Sequence, residues 1–168
     1  MLLVYLDRGD AYGLLARAAR AAWGMEQLPP IARQAGGKPW FPSHPACCFS
    51  LSHSGGLALC ALSDTPVGAD LEVVRPRRAG LPAYVCRGAE YDRYLALGGD
   101  WPAFYALWTQ RESIVKYTGE GLRAWRSAVV PDGCVLTRFR GEGWVACVCG
   151  QEQAVPAPGQ DLTSWRTD

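Results

Sequence analysis

Hydrophobic and polar positions change period several times along this chain, and the changes predict a succession of short strands and helices. Residues 2–6 form an apolar run of strand length, after which Asp10 offers a helix N-cap. Leu14, Leu15, Ala18, Ala22 and Trp23 then recur at helical spacing until Gly24 ends the run. Residues 25–45 are rich in Pro and Gly and predict irregular backbone. Strands are predicted at 47–51, 57–62 and 67–73. The turn compositions Ser54-Gly55-Gly56 and Asp64-Thr65-Pro66 between them imply an antiparallel meander.

The second half repeats that plan. Residues 88–97 and 101–118 carry helical patterning, and 126–130, 134–139 and 144–149 read as strands separated by Pro131-Asp132-Gly133 and Gly141-Glu142-Gly143. A helix with a three-stranded meander, twice over, predicts an α+β protein of two similar lobes facing each other. The lobes are expected at residues 1–73 and 74–150 of one compact unit, followed by a polar, loosely packed tail at 151–168. The likeness of the halves is one of pattern, without a residue-level repeat.

Composition narrows the function classes. The chain of 168 residues carries 17 basic and 16 acidic side chains, a balance that argues against a nucleic-acid partner. The basic cluster Arg75-Pro76-Arg77-Arg78 reads as a solvated turn. The seven cysteines form no Cys-x-x-Cys pair and sit mainly in apolar runs, where Cys behaves as a small hydrophobe, so a reducing compartment is expected. Neither a signal-peptide core nor a membrane-length apolar run is present, and the expectation is a soluble cytoplasmic protein without a membrane partner.

Candidate chemistry lies in the middle third. In 67–73 the apolar Val67, Ala69, Leu71 and Val73 alternate with Gly68, Asp70 and Glu72, which places both acids on one face of a strand. For an isolated Asp-x-Glu the commoner meaning is two solvated acids; the functional one is a pair of hard oxygen ligands suited to Mg²⁺. In 101–118, Phe104, Leu107, Trp108, Ile114 and Val115 make an apolar stripe with Glu112 at its edge and Lys116 one turn on. A Glu–Lys pair at that spacing is ordinarily a surface ion pair. Arg111 falls inside the stripe, where a guanidinium needs an acidic partner, so this helix is expected to face a polar cavity. Ser52-His53-Ser54-Gly55-Gly56 has hairpin-turn composition. The same turn offers hydroxyls, an imidazole and backbone N–H groups to a phosphate, and Lys38 in Gly37-Lys38-Pro39 offers a point charge.

Taken in order, Gly37-Lys38-Pro39, Ser52-His53-Ser54-Gly55, Val67-Gly68-Ala69-Asp70-Leu71-Glu72 and the run from Trp108 to Lys116 closely resemble the motif series of the Sfp-type 4′-phosphopantetheinyl transferases. Thr118-Gly119-Glu120-Gly121-Leu122 resembles the stretch that follows in that family; Phe49-Ser50 and Arg111 stand where the family usually has Phe-Asn and Lys. The resemblance implies a pseudo-dimer of two α+β lobes that moves the phosphopantetheine arm of coenzyme A onto a serine of an apo acyl or peptidyl carrier protein. Such carriers serve fatty-acid, polyketide or nonribosomal peptide synthesis. It also implies a Mg²⁺ site at Asp70, Glu72 and Glu112, and contacts to coenzyme A from Lys38, Pro39, Ser52, His53 and Lys116. Glu112 is then the candidate base, Glu72 the alternative, and Lys116 a stabiliser of developing charge. An active monomer is expected, since two lobes in one chain build the site internally.

The segment before the first helix is short for that family, so a weak grip on the nucleotide end of coenzyme A is expected. His53, Lys38 or an arginine such as Arg17 or Arg33 would be left to contact the 3′-phosphate. Two rival readings are a non-catalytic homologue that binds coenzyme A or a carrier protein, and a metal-dependent nuclease. Near-neutral charge and the helical spacing of Glu112 and Lys116 count against the nuclease.

Overall fold

The computed structural model describes residues 1–121, 125 and 128–165, and within them the architecture is mixed α+β. The first sheet has strand order β4-β5-β1-β9, built from β1 (Leu3–Arg8), β4 (Cys48–Ser54), β5 (Leu57–Ser63) and β9 (Val155–Pro156). β1 and β4 flank β5 antiparallel, while β9 runs parallel to β1. Helix α1 (Ala11–Trp23) lies against this sheet and starts where Asp10 Oδ1 accepts the Gly13 N–H at 2.7 Å. Its helical-period residues Leu14, Leu15 and Ala18 are buried with Phe41, Phe49 and Leu62, as the apolar spacing requires.

The second sheet has order β10-β7-β8-β6, from β6 (Val67–Val73), β7 (Val135–Gly141), β8 (Trp144–Gly150) and β10 (Thr163–Trp165). Across it lies α4 (Trp101–Thr118), capped by Asp100 Oδ1 accepting from Ala103 N–H at 2.9 Å. A Cβ built on Gly68 would lie 2.0 Å from the Ser113 carbonyl oxygen and 2.3 Å from the Tyr117 nitrogen, both in the α4 backbone. Only a residue without a side chain lets strand and helix meet this closely. Inward residues of both sheets, among them Val4, Leu59, Val67, Leu71, Phe139 and Val148, form one continuous apolar core. The short helices α2 (Leu81–Val85) and α3 (Ala89–Ala96) pack with α4 through Cys86, Tyr94, Phe104 and Leu107.

Three expectations change. The meander ends at its second strand, because β6 does not pair with β5; it pairs in antiparallel register with β8, from Val67 opposite Gly150 to Val73 opposite Trp144. Its alternation correctly reports two faces but is silent on which sheet accepts the edge. The tail expected to be loosely packed adds β9 to one sheet and β10 to the other. Its Ala154 and Ala157 are buried, and Gln160 Oε1 accepts the Leu6 N–H at 2.8 Å. Small residues and one amide dock it, a pattern without periodicity. Of the strand expected at 126–130, residues 126 and 127 lie outside the described residues, as does Leu122, and 128–130 are not in a strand. All seven cysteines are free thiols.

Candidate active site

The site is built on a seam between two sheet edges. β4 is an edge of the first sheet and β6 an edge of the second, so each exposes backbone groups that its own sheet leaves unpaired. On β4 the alternate residues Ser50, Ser52 and Ser54 accept the N–H groups of Ala69, Leu71 and Val73 at 2.9, 3.1 and 3.1 Å. Two of these hydroxyls donate onward: Ser52 to Asp70 Oδ1 and Ser54 to Glu72 Oε2, both at 2.8 Å. The stretch Ser52-His53-Ser54 is therefore the end of a strand, with Gly55-Gly56 alone making the turn. Sequence reasoning missed this ladder. The signal was available, because the serines share the period of two of Asp70 and Glu72.

The close approach at Gly68 brings α4 against the acidic face of β6. Lys116 Nζ donates to Asp70 Oδ1 at 2.8 Å and to the Leu51 carbonyl at 3.3 Å. The expected Glu112–Lys116 surface pair thus gives way to a pair in which the Asp70 side chain is only 7% exposed. Asp70 Oδ1 takes both Lys116 and Ser52, while Oδ2 is buried without a hydrogen-bond partner among the described residues. Burial raises the pKa of Glu112, and the Asp70 charge adds to the rise against the opposing pull of Lys116. Burial also raises Glu72, with Ser54 drawing it back and Asp70 adding. The three acids therefore feel one another, though among the described residues no three His, Cys, Asp or Glu side chains are gathered ready to hold an ion.

An acid whose pKa is raised by folding binds its proton more tightly in the folded state than in the unfolded one. Its ionisation at neutral pH costs stability, and the cost fades as pH falls through the raised value. In protein free of divalent cations, Glu112→Gln should therefore unfold at a higher temperature than the parent at pH 7. The gap should close as pH approaches the ordinary glutamate value of about 4.3. Thermal melts across that range check it; a lower midpoint for the variant at pH 7 would contradict the assignment.

Beside the acids opens a cavity of about 350 Å³ whose walls include Tyr12, Arg33, Lys38, Pro39, His53 and Lys116. Four residues expected at a coenzyme A site, Lys38, Pro39, His53 and Lys116, thus share one cavity. Asp70 reaches it through Lys116, and Ser52 is bound to Asp70; Glu72 lies two residues on along β6, bound to Ser54, and Glu112 stands one turn before Lys116 on α4.

Lys38 has a second occupation that its position in a Gly-Lys-Pro loop did not announce. Its ammonium donates to the Tyr117 carbonyl at 2.8 Å and the Val67 carbonyl at 3.0 Å, tying the last turn of α4 to the start of β6. Burial lowers its pKa. A Cβ on neighbouring Gly36 would lie 1.6 Å from the Gly119 carbonyl oxygen, so this loop also docks directly on the end of α4. Arg111 finds the acid its position in the stripe demands: it pairs with Glu90 of α3, and its guanidinium lies 4.3 Å from the Trp125 ring centroid. The polar cavity beside it, about 230 Å³ and lined by Glu90, Arg87 and Trp125, is separate from the one beside Lys116.

A sequence profile described as the 4′-phosphopantetheinyl transferase superfamily matches residues 66–152, the stretch from the turn before β6 to the end of β8 and just beyond. The chain is 33% identical over 112 residues to a 4′-phosphopantetheinyl transferase of Bacillus subtilis, covering 65% of this chain and 50% of that protein. It is 36% identical over 88 residues to 4′-phosphopantetheinyl transferase Sfp of Bacillus subtilis strain 168, covering 51% and 39%. To 4′-phosphopantetheinyl transferase AcpT of Salmonella typhi it is 38% identical over 117 residues, covering 63% and 55%. The chain spans about half the length of these relatives. A profile that takes in more than half the chain, centred on the strand and helix that carry Asp70, Glu72, Glu112 and Lys116, makes this protein a member of the 4′-phosphopantetheinyl transferase superfamily.

Proposed function

We propose that the protein transfers the 4′-phosphopantetheine arm of coenzyme A to a serine of an apo acyl or peptidyl carrier protein. The observation that carries this reading is the Lys116–Asp70 pair at the cavity edge, with a buried Asp70 oxygen that no group among the described residues satisfies. An orphaned carboxylate oxygen beside two acids whose ionisation burial disfavours is a site short of positive charge. Hard oxygen donors of this kind suit Mg²⁺, and Asp70, Glu72 and Glu112 would hold it. When bound, the ion would supply charge neutralisation at the donor pyrophosphate.

The chain's own residues carry the remaining work. The carrier serine hydroxyl attacks the β-phosphorus of coenzyme A, and adenosine 3′,5′-bisphosphate leaves with the electrons of the broken P–O bond. Glu112, directly or through a water, takes the serine proton; Glu72 is the alternative. Lys116, fixed by Asp70 and the Leu51 carbonyl, stabilises charge developing on the phosphate oxygens. His53 and the remaining proton of Lys38 contact donor phosphate, with Pro39 shaping the wall, while Ser52 holds Asp70 in place. The two sheets, each with its long helix, support the reading of two lobes in one monomer with the site between them.

Incubation with coenzyme A and an apo carrier protein, with and without Mg²⁺, tests the reaction. Release of adenosine 3′,5′-bisphosphate only when carrier, donor and Mg²⁺ are all present is the expected result. Donor binding without release would instead support a homologue that does not catalyse transfer.

A further inference from the structure

Two of the seven cysteines, distant in sequence, meet beneath the last turn of α4. Cys149 on β8 stands directly opposite Gly68 on one neighbouring strand and Leu136 on the other. Directly paired residues share a sheet face, so Cys149 lies on the face that α4 covers at Gly68. Cys134, two residues before Leu136, belongs to the same face just ahead of β7. Its thiol shares hydrogen bonds with the Cys149 thiol and with the Tyr117 hydroxyl, which also meets the Gln151 side chain. The two sulfurs differ in access: Cys149 is fully buried and Cys134 partly exposed. Tyr117 in turn helps to hold the wall of the cavity beside the acids. Its carbonyl accepts from Lys38, and its backbone nitrogen is one of the atoms packed on Gly68.

We propose that Cys134 and Cys149 are an oxidation site: hydrogen peroxide closes them into a disulfide that loosens the end of α4 and weakens donor binding. The covalent part stands on the thiol pair; the effect on donor binding rests on the proposed transferase reading. Peroxide meets Cys134 first, because the partner sulfur is sealed from solvent. The Cys134 sulfur takes one peroxide oxygen as the O–O bond breaks, giving a sulfenic acid and one water. The Cys149 sulfur then attacks Cys134; the S–O bond breaks, and the departing hydroxide leaves as water with the Cys149 proton. Two electrons pass from the thiol pair to one peroxide, yielding one disulfide and two waters. Burial pushes the Cys149 thiol up to about 12, against the pull of Lys38, so this second step is slow. In the disulfide the sulfurs stand about 2 Å apart and carry no proton, so Cys134 is drawn inward and Tyr117 loses a partner. The end of α4 that holds Lys38 is then less firmly fixed, and Lys38 lines the cavity.

Peptide mass mapping tests the bond on the folded protein, exposed to hydrogen peroxide and then quenched with catalase. After denaturation, alkylation should reach two fewer of the seven cysteines than in untreated protein, and a linked peptide should join Cys134 to Cys149. Dithiothreitol should restore both thiols. In Cys134→Ser, which keeps a hydroxyl for Tyr117, Cys149 should stay reduced under the same treatment. Calorimetry then compares reduced and oxidised parent, using coenzyme A whose thiol is methylated so that it cannot reduce the bond. The oxidised form should bind it about three- to tenfold more weakly, the scale of one lost hydrogen bond. Cys134→Ser should bind it as the reduced parent does, before and after peroxide. Treated parent with all seven thiols intact, or with Cys134 oxidised but not joined to Cys149, overturns the proposal. A closed bond with unchanged affinity overturns its effect on the site. Failure of the reduced parent to bind the donor would instead remove the transferase reading, and the mass result would still decide the thiol pair.

Discussion

Asp70→Asn should reduce phosphopantetheine transfer by about a thousandfold, the scale reached when a preorganised electrostatic group is removed from a reacting centre. The substitution is nearly isosteric and keeps an oxygen to accept from Ser52. What it removes is the charge that fixes Lys116 and the oxygen left free beside it. Stability should change little, because two effects oppose each other. The amide relieves a buried, half-satisfied carboxylate, while Lys116, 31% exposed, loses its counter-ion but can turn to water. Asp70→Ala, Glu72→Ala and Glu112→Ala should each sharply reduce transfer as well. Turnover assays at saturating Mg²⁺ together with thermal melts separate the effects. Near-normal turnover in two of the three alanine variants would remove the acids from the mechanism.

Gly68→Ala should be a highly damaging single methyl, at the contact that seats α4 on β6. The new Cβ would meet backbone atoms of α4 at 2.0 and 2.3 Å, and backbone cannot swing aside as a flexible side-chain end can. Relief requires α4 to lift from β6, which opens the core at Val67 and Ala69 and draws Lys116 from Asp70. A cost of about 3 kcal/mol is at the upper end for overpacking and corresponds to roughly 6–12 °C in the unfolding midpoint of a chain this size. Transfer should fall even well below that midpoint, since the helix that moves carries Glu112 and Lys116. A Gly68→Ala protein with unchanged melting and unchanged turnover would show that the contact between β6 and α4 is not what holds the site together.

Much of this was legible in the sequence, because local periodicity records which face of an element is buried. The helix expected at 101–118 is α4 from first residue to last, and Asp10 and Gly24 bracket α1 as their chemistry requires. Asp70 and Glu72 do share a face away from the apolar core, and Arg111 does require an acid. What periodicity cannot record is the partner. Nothing along 67–73 says that the strand leaves β5 for β8, since either neighbour accepts the same alternation. Ser52 and Ser54 look like turn residues, and Ser50 like any strand residue, until β6 lies beside them and their hydroxyls take its outward N–H groups. Lys38 reads as a phosphate contact because the carbonyls that hold it lie at Val67 and Tyr117, far away in the chain. Glu90 meets Arg111 for the same reason, across a helix packing that no local pattern specifies.

The central claim is group transfer at the seam of β4, β6 and α4, and the intact mass of the acceptor tests it most directly. An apo carrier protein incubated with coenzyme A, Mg²⁺ and this protein should gain the mass of one phosphopantetheine arm. The gain should vanish when the carrier's acceptor serine is replaced by alanine, and it should vanish with Asp70→Asn. A carrier whose mass is unchanged, under conditions where the protein binds coenzyme A and remains folded, would contradict the account.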